Sequence, residues 1–181
     1  MRLNHALVIG GTGMLANVSL WLAEHDYHVS VIGRNPEKMQ HLTIQNPEQL
    51  TPVLVDYSNP KEFSEQIHRI QQQNGPIQLV VAWVHSTGQH VIPCLTELLS
   101  PTQPWDLFQV HGSSSNLQEI KAKTALPSHV LYHQIQLGFK IEYGFSRWLT
   151  NEEISDGVIE TIREGKSELL IGTLEPWKKR P

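Results

Sequence analysis

The sequence predicts an α/β protein in which a doubly wound parallel sheet lies between two layers of helices, giving three layers. Short apolar runs alternate along the chain with longer segments of helical spacing, which is the pattern of successive strand–helix units. The run Gln78–Val84 is almost continuously apolar, as expected of a central strand that is covered on both faces. Near the start of the chain, the apolar run Ala6–Ile9 ends in two glycines, and a helical segment follows. The order of these elements predicts a Rossmann-like sheet.

The first half of the chain supplies three predicted strand–helix units. Their strands are short apolar or β-branched runs, at Ala6–Ile9, His28–Ile32 and Pro52–Val55. The first helix, Met14–His25, places Leu15, Val18 and Leu22 on one side, which should face the sheet. An asparagine followed by a proline, a favoured helix start, opens each of the next two helices, Pro36–Leu42 and Lys61–Gln73.

The second half continues the alternation after the central strand. A helical segment begins near Pro93 and ends at Leu99, before two further prolines. The last helix, Asn151–Glu164, has capping-box spacing at its start and a glycine directly after its end. The remaining strands are predicted at Trp105–Val110, Val130–Ile141 and Glu168–Ile171.

The composition argues against several classes of protein. A chain of 181 residues with 39% hydrophobic and 18% charged residues is expected to fold as one globular domain. The net charge of −4 argues against a nucleic-acid partner or a membrane surface, since both need a basic face. The single cysteine, Cys94, allows no internal disulfide and predicts a cytoplasmic location. Trp148 and Trp177, if exposed, would suit an interface, so a homo-oligomer stays open.

The segment after the first strand predicts a site for the pyrophosphate of a dinucleotide. Glycine lets the backbone approach phosphates closely, and the free amides at the start of a helix attract an anion. The expected cofactor contacts in this segment are Gly10, Gly11, Thr12, Gly13, Met14 and Leu15. A tight turn without a ligand is the alternative, and the flanking strand and helix favour the nucleotide site. We therefore expect a single dinucleotide-binding domain over residues 1–174, followed by a loose polar C-terminal tail at residues 175–181.

The residues after the second strand predict which dinucleotide is bound. An NAD site usually has Asp or Glu here, about 20 residues past the glycines, to accept from the ribose hydroxyls. This sequence has Gly33 instead, followed by Arg34 and Asn35, and a guanidinium pairs well with the 2′-phosphate of NADP. NADP is therefore predicted in preference to NAD. The alternative is that Arg34 is a solvated loop residue.

The glycine turn, with Gly10, Gly13 and Ala16 at its motif positions, resembles that of the short-chain dehydrogenase/reductase family in its atypical branch. The resemblance covers most of the chain, and its most specific residues lie before residue 60. Further cofactor contacts are implied at the ends of strands three and four, at Asp56, Tyr57, Ala82 and Trp83. The first two would lie near the adenine. The segment after strand four departs from the family's Asn-Asn-Ala-Gly, because His and Ser replace the two asparagines.

The same resemblance implies a catalytic Tyr, a Lys four residues later, and a Ser after the fifth strand. Ser113 and Ser114 follow that strand, and either one would hydrogen-bond a substrate carbonyl. The interval before the sixth strand contains no Tyr, so the usual Tyr/Lys pair is missing. His85 and Tyr143 are the candidate proton donors in its place, and His111 at the end of the fifth strand is a further one.

Two functions stay open from the sequence. The first is an NADP-dependent oxidoreductase acting on a small carbonyl or alcohol, in which the cofactor carries the hydride and the protein orients it. The second is a non-catalytic NADP-binding sensor or partner-binding protein, which the missing Tyr/Lys pair favours. No metal site is predicted, because neither closely spaced histidine pair lies within a predicted helix.

Overall fold

The computed structural model of this protein describes residues 3–181 and confirms the predicted α/β class. Seven parallel strands form one sheet in the order β3-β2-β1-β4-β5-β6-β9. These strands are β1 (Asn4–Ile9), β2 (Tyr27–Gly33), β3 (Leu50–Leu54), β4 (Ile77–Trp83), β5 (Trp105–His111), β6 (Val130–Leu137) and β9 (Glu168–Ile171). A separate antiparallel hairpin is formed by β7 (Phe139–Glu142) and β8 (Phe145–Trp148).

Within the described residues, six α-helices connect the strands and cover both faces of the sheet. They are α1 (Ala16–Glu24), α2 (Pro36–Thr43), α3 (Pro60–Asn74), α4 (Val91–Leu98), α5 (Leu117–Lys123) and α6 (Asn151–Glu164). None of the helices within residues 3–181 combines the length and the apolar character that a membrane crossing needs.

Two apolar clusters, one on each face of the sheet, make up the core and produce the predicted three layers. Alternate residues of β1 belong to different clusters, because successive side chains of a strand point to opposite faces. Ala6 and Val8 face the side that α1, α2 and α6 cover, whereas Leu7 and Ile9 face α3 and α4. All four side chains are fully buried. Burial on both faces accounts for the continuous apolar runs seen in the sequence.

The strand order reverses at β1, and this reversal positions the functional site. The chain runs from β1 outward to β2 and β3, then returns to the other side of β1 to form β4. Ile9 of β1 pairs with Ala82 of β4 near the carboxyl ends of both strands. In open α/β sheets, the crevice outside the strand ends at such a reversal is where ligands bind. The loops after β1 and β4 border that crevice.

The prediction of one strand over Val130–Ile141 is wrong. The chain leaves the sheet at Gly138, where a side chain would collide with the backbone of Thr173, and continues as β7 in the hairpin. Phe139 then makes an antiparallel bridge to Thr173. The apolar spacing continues unbroken through this point, so the sequence pattern could not show the change of partner. Helix α5 and strand β8 were likewise not predicted, and α1 begins at Ala16 rather than at Met14.

Candidate functional site

The glycine turn between β1 and α1 is held close against the sheet. The amides of Gly10 and Gly11 both donate to the carbonyl of Ile32, at N–O distances of 3.1 and 3.4 Å. Gly10 has a φ of +80°, which favours glycine. A Cβ on Gly11 would lie only 2.7 Å from a Val31 methyl carbon and 2.9 Å from one of Val8. The first two glycines are therefore needed for the turn itself.

The next four residues leave their amides free. Within residues 3–181, no backbone or side-chain acceptor bonds the amides of residues 12–15. Helix α1 has no side-chain cap and no acidic residue in its first turn. In contrast, a capping Asn or Thr and an acidic residue occur at the start of α2, α3, α5 and α6. The positive end of the α1 dipole is thus available to an external anion.

A cavity of about 610 Å³ opens on this turn. Its lining residues come from the carboxyl ends of β1, β2, β3 and β4, and they are Gly10, Thr12, Gly13, Ile32, Gly33, Arg34, Asn35, Pro36, Lys38, Val55, Tyr57, Trp83 and His85. We call this space the larger cavity. A Cβ on Gly13 would meet no atom of the described chain within 4 Å, so this glycine borders open space.

Not every predicted cofactor residue lines the larger cavity. Leu15 and Ala82 are fully buried in the core, and Gly11 is packed beneath the turn. Met14 borders a second cavity instead. Asp56 is placed beside Arg34. The other predicted cofactor contacts are lining residues.

Two cations lie at the β2 end of the larger cavity. Arg34 is exposed, and its Nη1 atom is 3.5 Å from Oδ2 of Asp56. Asn35 caps α2, its Oδ1 accepting from the amide of Lys38 at 2.9 Å. Lys38 lies in the first turn of α2, which starts two residues after Arg34, and its side chain lines the same cavity. Sequence reasoning missed Lys38, although its place in the predicted helix could have indicated it.

Tyr57 forms one wall of the larger cavity and is fixed on two sides. Its hydroxyl accepts from the amide of His85 at 3.2 Å, and its carbonyl accepts from Nε2 of His90 at 2.7 Å. A side chain on Gly88 would collide with the Tyr57 ring, which accounts for a glycine there. The His85 imidazole is exposed at this wall and meets the Trp83 ring edge-on, with ring centroids 5.6 Å apart.

A second cavity of about 250 Å³ lies beside β5 and β6, and we call it the smaller cavity. It is mainly apolar, and its lining residues are Met14, Trp83, Gly112, Ser113, Ser114, Leu137, Gly138, Trp148, Leu149, Ile154 and Arg180. Trp83 borders both cavities, so they are neighbours.

The serine loop after β5 forms the polar side of the smaller cavity. Ser113 is buried and Ser114 is exposed, so the structure brings both predicted serines to the same cavity. Gln136 holds the loop in place from β6, its Nε2 donating to the Ser115 carbonyl at 2.7 Å and to the Ser113 carbonyl at 3.3 Å. Gln136 was missed from the sequence, where an inward-facing polar residue of a strand carries no distinguishing pattern.

The segment expected to be a loose polar tail lies against the serine loop. Arg180 donates from Nε to Oγ of Ser113 at 3.0 Å. Its guanidinium carbon lies 5.2 Å from the centroid of the Trp148 ring and 4.9 Å from that of Trp177. These contacts position Arg180 beside the smaller cavity, and no local pattern in the sequence indicated them.

Two of the predicted proton donors line neither cavity. Tyr143 is fully exposed at the tip of the β7–β8 hairpin, and Arg147, four residues later, is bonded to Glu142 and Glu153. His111 is buried, and burial lowers its pKa to about 4, so its imidazole is neutral near pH 7. Neither Tyr143 nor His111 lines the two cavities. The structure thus brings only His85 of these candidates to the crevice.

The histidines do not gather with other ligands into a metal site. Residues 3–181 hold no group of three or more His, Cys, Asp or Glu side chains placed to bind one ion. His133, a member of one closely spaced pair, is bonded to Asp106 and to the carbonyl of Lys166.

The fold and the crevice define the class of molecule: a Rossmann-like α/β protein with an anion-attracting glycine turn beside two adjoining cavities. No family model matches the sequence, and no curated protein matches it significantly.

Solved structures do match. The chain is similar to YwfH, an NADPH-dependent reductase involved in bacilysin biosynthesis, with a TM-score of 0.73 and 14% identity over 94% of this chain and 99% of that one. A metagenomic short-chain oxidoreductase in complex with NADP gives a TM-score of 0.72 and 15% identity, covering 95% of this chain and 98% of that one. A short-chain dehydrogenase/reductase from Sinorhizobium meliloti 1021 gives a TM-score of 0.66 and 11% identity, covering 95% of this chain and 96% of that one. The chain therefore has the fold of short-chain dehydrogenase/reductases.

Proposed function

We propose that this protein binds NADP and acts as an NADPH-dependent oxidoreductase on a small carbonyl or alcohol substrate. The observation that carries the proposal is that the two cavities share Trp83 as a lining residue. An uncapped glycine turn opens on the larger cavity, which adjoins, at Trp83, a smaller cavity bordered by Ser113. One structural neighbour is described as an NADPH-dependent reductase, and another was solved with NADP, which supports the same assignment.

The larger cavity has the chemistry that NADP needs. The free amides of residues 12–15 would bond the pyrophosphate, and the open space at Gly13 leaves room for it. Arg34 and Lys38 would hold the 2′-phosphate, which NAD lacks. Tyr57 would cover the adenine from the β3 side. NADP is thus favoured over NAD because two cations line this end of the cavity, and the Asp56 carboxylate at the rim is paired with Arg34 instead of lining the cavity.

The smaller cavity would hold the substrate. NADPH, when bound, supplies a hydride to the carbonyl carbon, and the carbonyl oxygen takes up a proton as the alcohol forms. The Ser113 hydroxyl accepts from Arg180, so its own hydrogen is free to bond the carbonyl oxygen. His85, exposed beside Trp83, is our candidate for the group that delivers the proton.

A non-catalytic NADP-binding sensor or partner-binding protein is the second candidate. The observation that favours it concerns the smaller cavity, which no Tyr or Lys within residues 3–181 lines. On this basis we infer that the chain belongs to an atypical branch of the short-chain dehydrogenase/reductases, without the Tyr/Lys pair.

Calorimetry followed by a turnover assay tests both candidates. We expect NADPH to bind at least about tenfold more tightly than NADH, because one additional charge-assisted contact gives about that factor. An oxidoreductase then oxidises NADPH in the presence of an aldehyde or ketone from a broad panel. Binding without any turnover would favour the sensor. Absence of NADPH binding would contradict both candidates.

A further inference from the structure

One charged side chain borders the smaller cavity, and it has no ion-pair partner in the described chain. Among residues 3–181, Arg180 is the only charged residue that lines this cavity. No carboxylate of the described chain lies within ion-pair distance of it. Arg180 is exposed to solvent, so its guanidinium is accessible to an external anion such as a carboxylate.

The contacts of Arg180 fix its orientation and leave its outer edge unused. Nε donates to Ser113, and the guanidinium lies over the rings of Trp148 and Trp177. Within the described chain, no acceptor bonds Nη1 or Nη2. These two nitrogens form the edge of a guanidinium that matches the two oxygens of a carboxylate. Arg180 is thus already arranged for bidentate binding.

We propose that Arg180 binds a carboxylate of the substrate, so that the substrate of the smaller cavity is a small 2-oxo acid or the matching 2-hydroxy acid. The inference rests on the function proposed above, and it specifies the substrate class of that same site. Its geometric basis is the 3.0 Å separation between Arg180 Nε and Ser113 Oγ. Two groups this close contact neighbouring positions of one ligand, and a 2-oxo acid carries its carbonyl next to its carboxylate.

The bond between Arg180 and Ser113 also prepares the serine. Because the Ser113 oxygen accepts from a charged donor, its hydroxyl hydrogen points elsewhere and becomes a stronger donor. The carbonyl oxygen of a 2-oxo acid would accept that hydrogen, while its carboxylate takes the Arg180 edge. The apolar lining, including Leu137, Leu149 and Ile154, would contact an aliphatic side chain of the acid. The cavity volume of about 250 Å³ restricts this to a small substrate.

The test measures binding of an acid against its uncharged ester. The protein is saturated with NADP⁺, so that no reduction occurs, and is titrated in a calorimeter with 4-methyl-2-oxopentanoate and with its methyl ester. We expect the acid to bind at least about tenfold more tightly, and its affinity to fall with added salt while that of the ester does not. Equal affinities, or no binding of the acid, would overturn the proposal.

Three variants test whether Arg180 causes the preference for the acid over the ester. Arg180→Met removes the charge and should abolish the acid preference, whereas Arg180→Lys should restore part of it. Lys179→Met removes a neighbouring exposed charge and should leave the preference unchanged. Circular dichroism and NADPH affinity confirm that each variant is folded. If Arg180→Met keeps the preference, or binds acid and ester alike more tightly than the parent protein, Arg180 does not bind the carboxylate.

A failure of the proposed function gives a different result from a failure of this inference. If NADPH and NADP⁺ do not bind, the proposed function is wrong, and the acid and ester are then compared on the protein without cofactor. If the cofactor binds and neutral ketones are reduced at the same rate as 2-oxo acids, the proposed function is supported and only the substrate class is wrong.

Discussion

Arg34 and Asp56 form an ion pair at the rim of the larger cavity, with Nη1 and Oδ2 3.5 Å apart. The Asp56 carboxylate also accepts from the amide of Ser58 at 2.9 Å. The hydrogen bonds from the Ser58 backbone and side chain, and after them the Arg34 charge, lower the pKa of Asp56. The carboxylate is therefore ionised near pH 7 and restrains the guanidinium beside the cavity. The family resemblance implies that Asp56 lies near the adenine, and in this structure its carboxylate contacts Arg34. Since both side chains are exposed, the pair contributes little to stability.

Replacing Arg34 should change cofactor choice more than stability. We expect Arg34→Ala to weaken NADPH binding about tenfold or more and to leave NADH nearly unchanged, because only NADPH carries the 2′-phosphate. Calorimetry with both cofactors measures this. Arg69→Ala, which removes an exposed arginine of α3, is the matched control and should affect neither cofactor. Equal losses for NADPH and NADH would refute the role of Arg34.

The glycine turn predicts opposite outcomes for two alanine substitutions. Gly11→Ala places a methyl group against buried atoms of Val8 and Val31 and should lower the free energy of unfolding by about 1 to 3 kcal/mol. Gly13→Ala adds the same group in open space, so stability should hold while NADPH affinity falls. Urea unfolding and calorimetry separate the two effects. A stable Gly11→Ala variant would show that the turn is not packed as described.

Ser155 connects α6 to the glycine turn, its Oγ donating to the Met14 carbonyl at 2.8 Å. Ser155→Ala should cost about 1 kcal/mol of stability, the usual effect of one buried hydrogen bond, and should also weaken NADPH binding. Thr161→Val is the control, because it removes a buried hydroxyl of the same helix that bonds only Gly157. The control should lower the urea midpoint without changing NADPH affinity. If both variants bind NADPH equally well, α6 does not position the turn.

The environment of His133 predicts a pH-dependent stability. Its Nε2 lies 2.8 Å from Asp106 Oδ1 and its Nδ1 lies 2.6 Å from the Lys166 carbonyl, so the protonated ring can donate to both. Burial lowers the pKa of His133, but the bonds to Asp106 and Lys166 outweigh burial and raise it above 6.5. Protonation thus stabilises the fold fully below pH 6.5, and this stabilisation is lost as pH rises through the folded-state pKa.

Urea unfolding between pH 6.5 and 9 measures this loss, which we expect to be up to about 1 kcal/mol because Asp106 is partly exposed. Burial lowers the pKa values of His28 and His111. These two residues therefore reduce the stability only as the pH decreases below about 6.5, outside the range of this measurement. His133→Gln should flatten the pH dependence above 6.5, whereas His68→Gln, on the exposed side of α3, should not. A parent protein with constant stability over this range would contradict the assignment.

The elements that the sequence predicted well are those whose pattern is local. Strand β4 and its neighbours follow from apolar runs that are buried on both faces, and α2 and α3 follow from an asparagine cap before a proline. The break at Gly138 was missed because its cause is the Thr173 backbone, 35 residues further along the chain. The short helix α5 has no strong apolar repeat, so the sequence pattern does not predict it.

By itself, the sequence determined the fold class and the place of the glycine turn, because strand burial and glycine spacing depend on neighbouring residues. The tertiary structure decided which of the candidate side chains meet. It brought Lys38 to the cavity that Arg34 borders and left Tyr143 at a solvent-exposed hairpin tip. It also formed the hydrogen bond from Arg180 to Ser113, two residues separated by 67 positions in the sequence. Such contacts depend on strand order and on packing between distant segments, which no local spacing encodes.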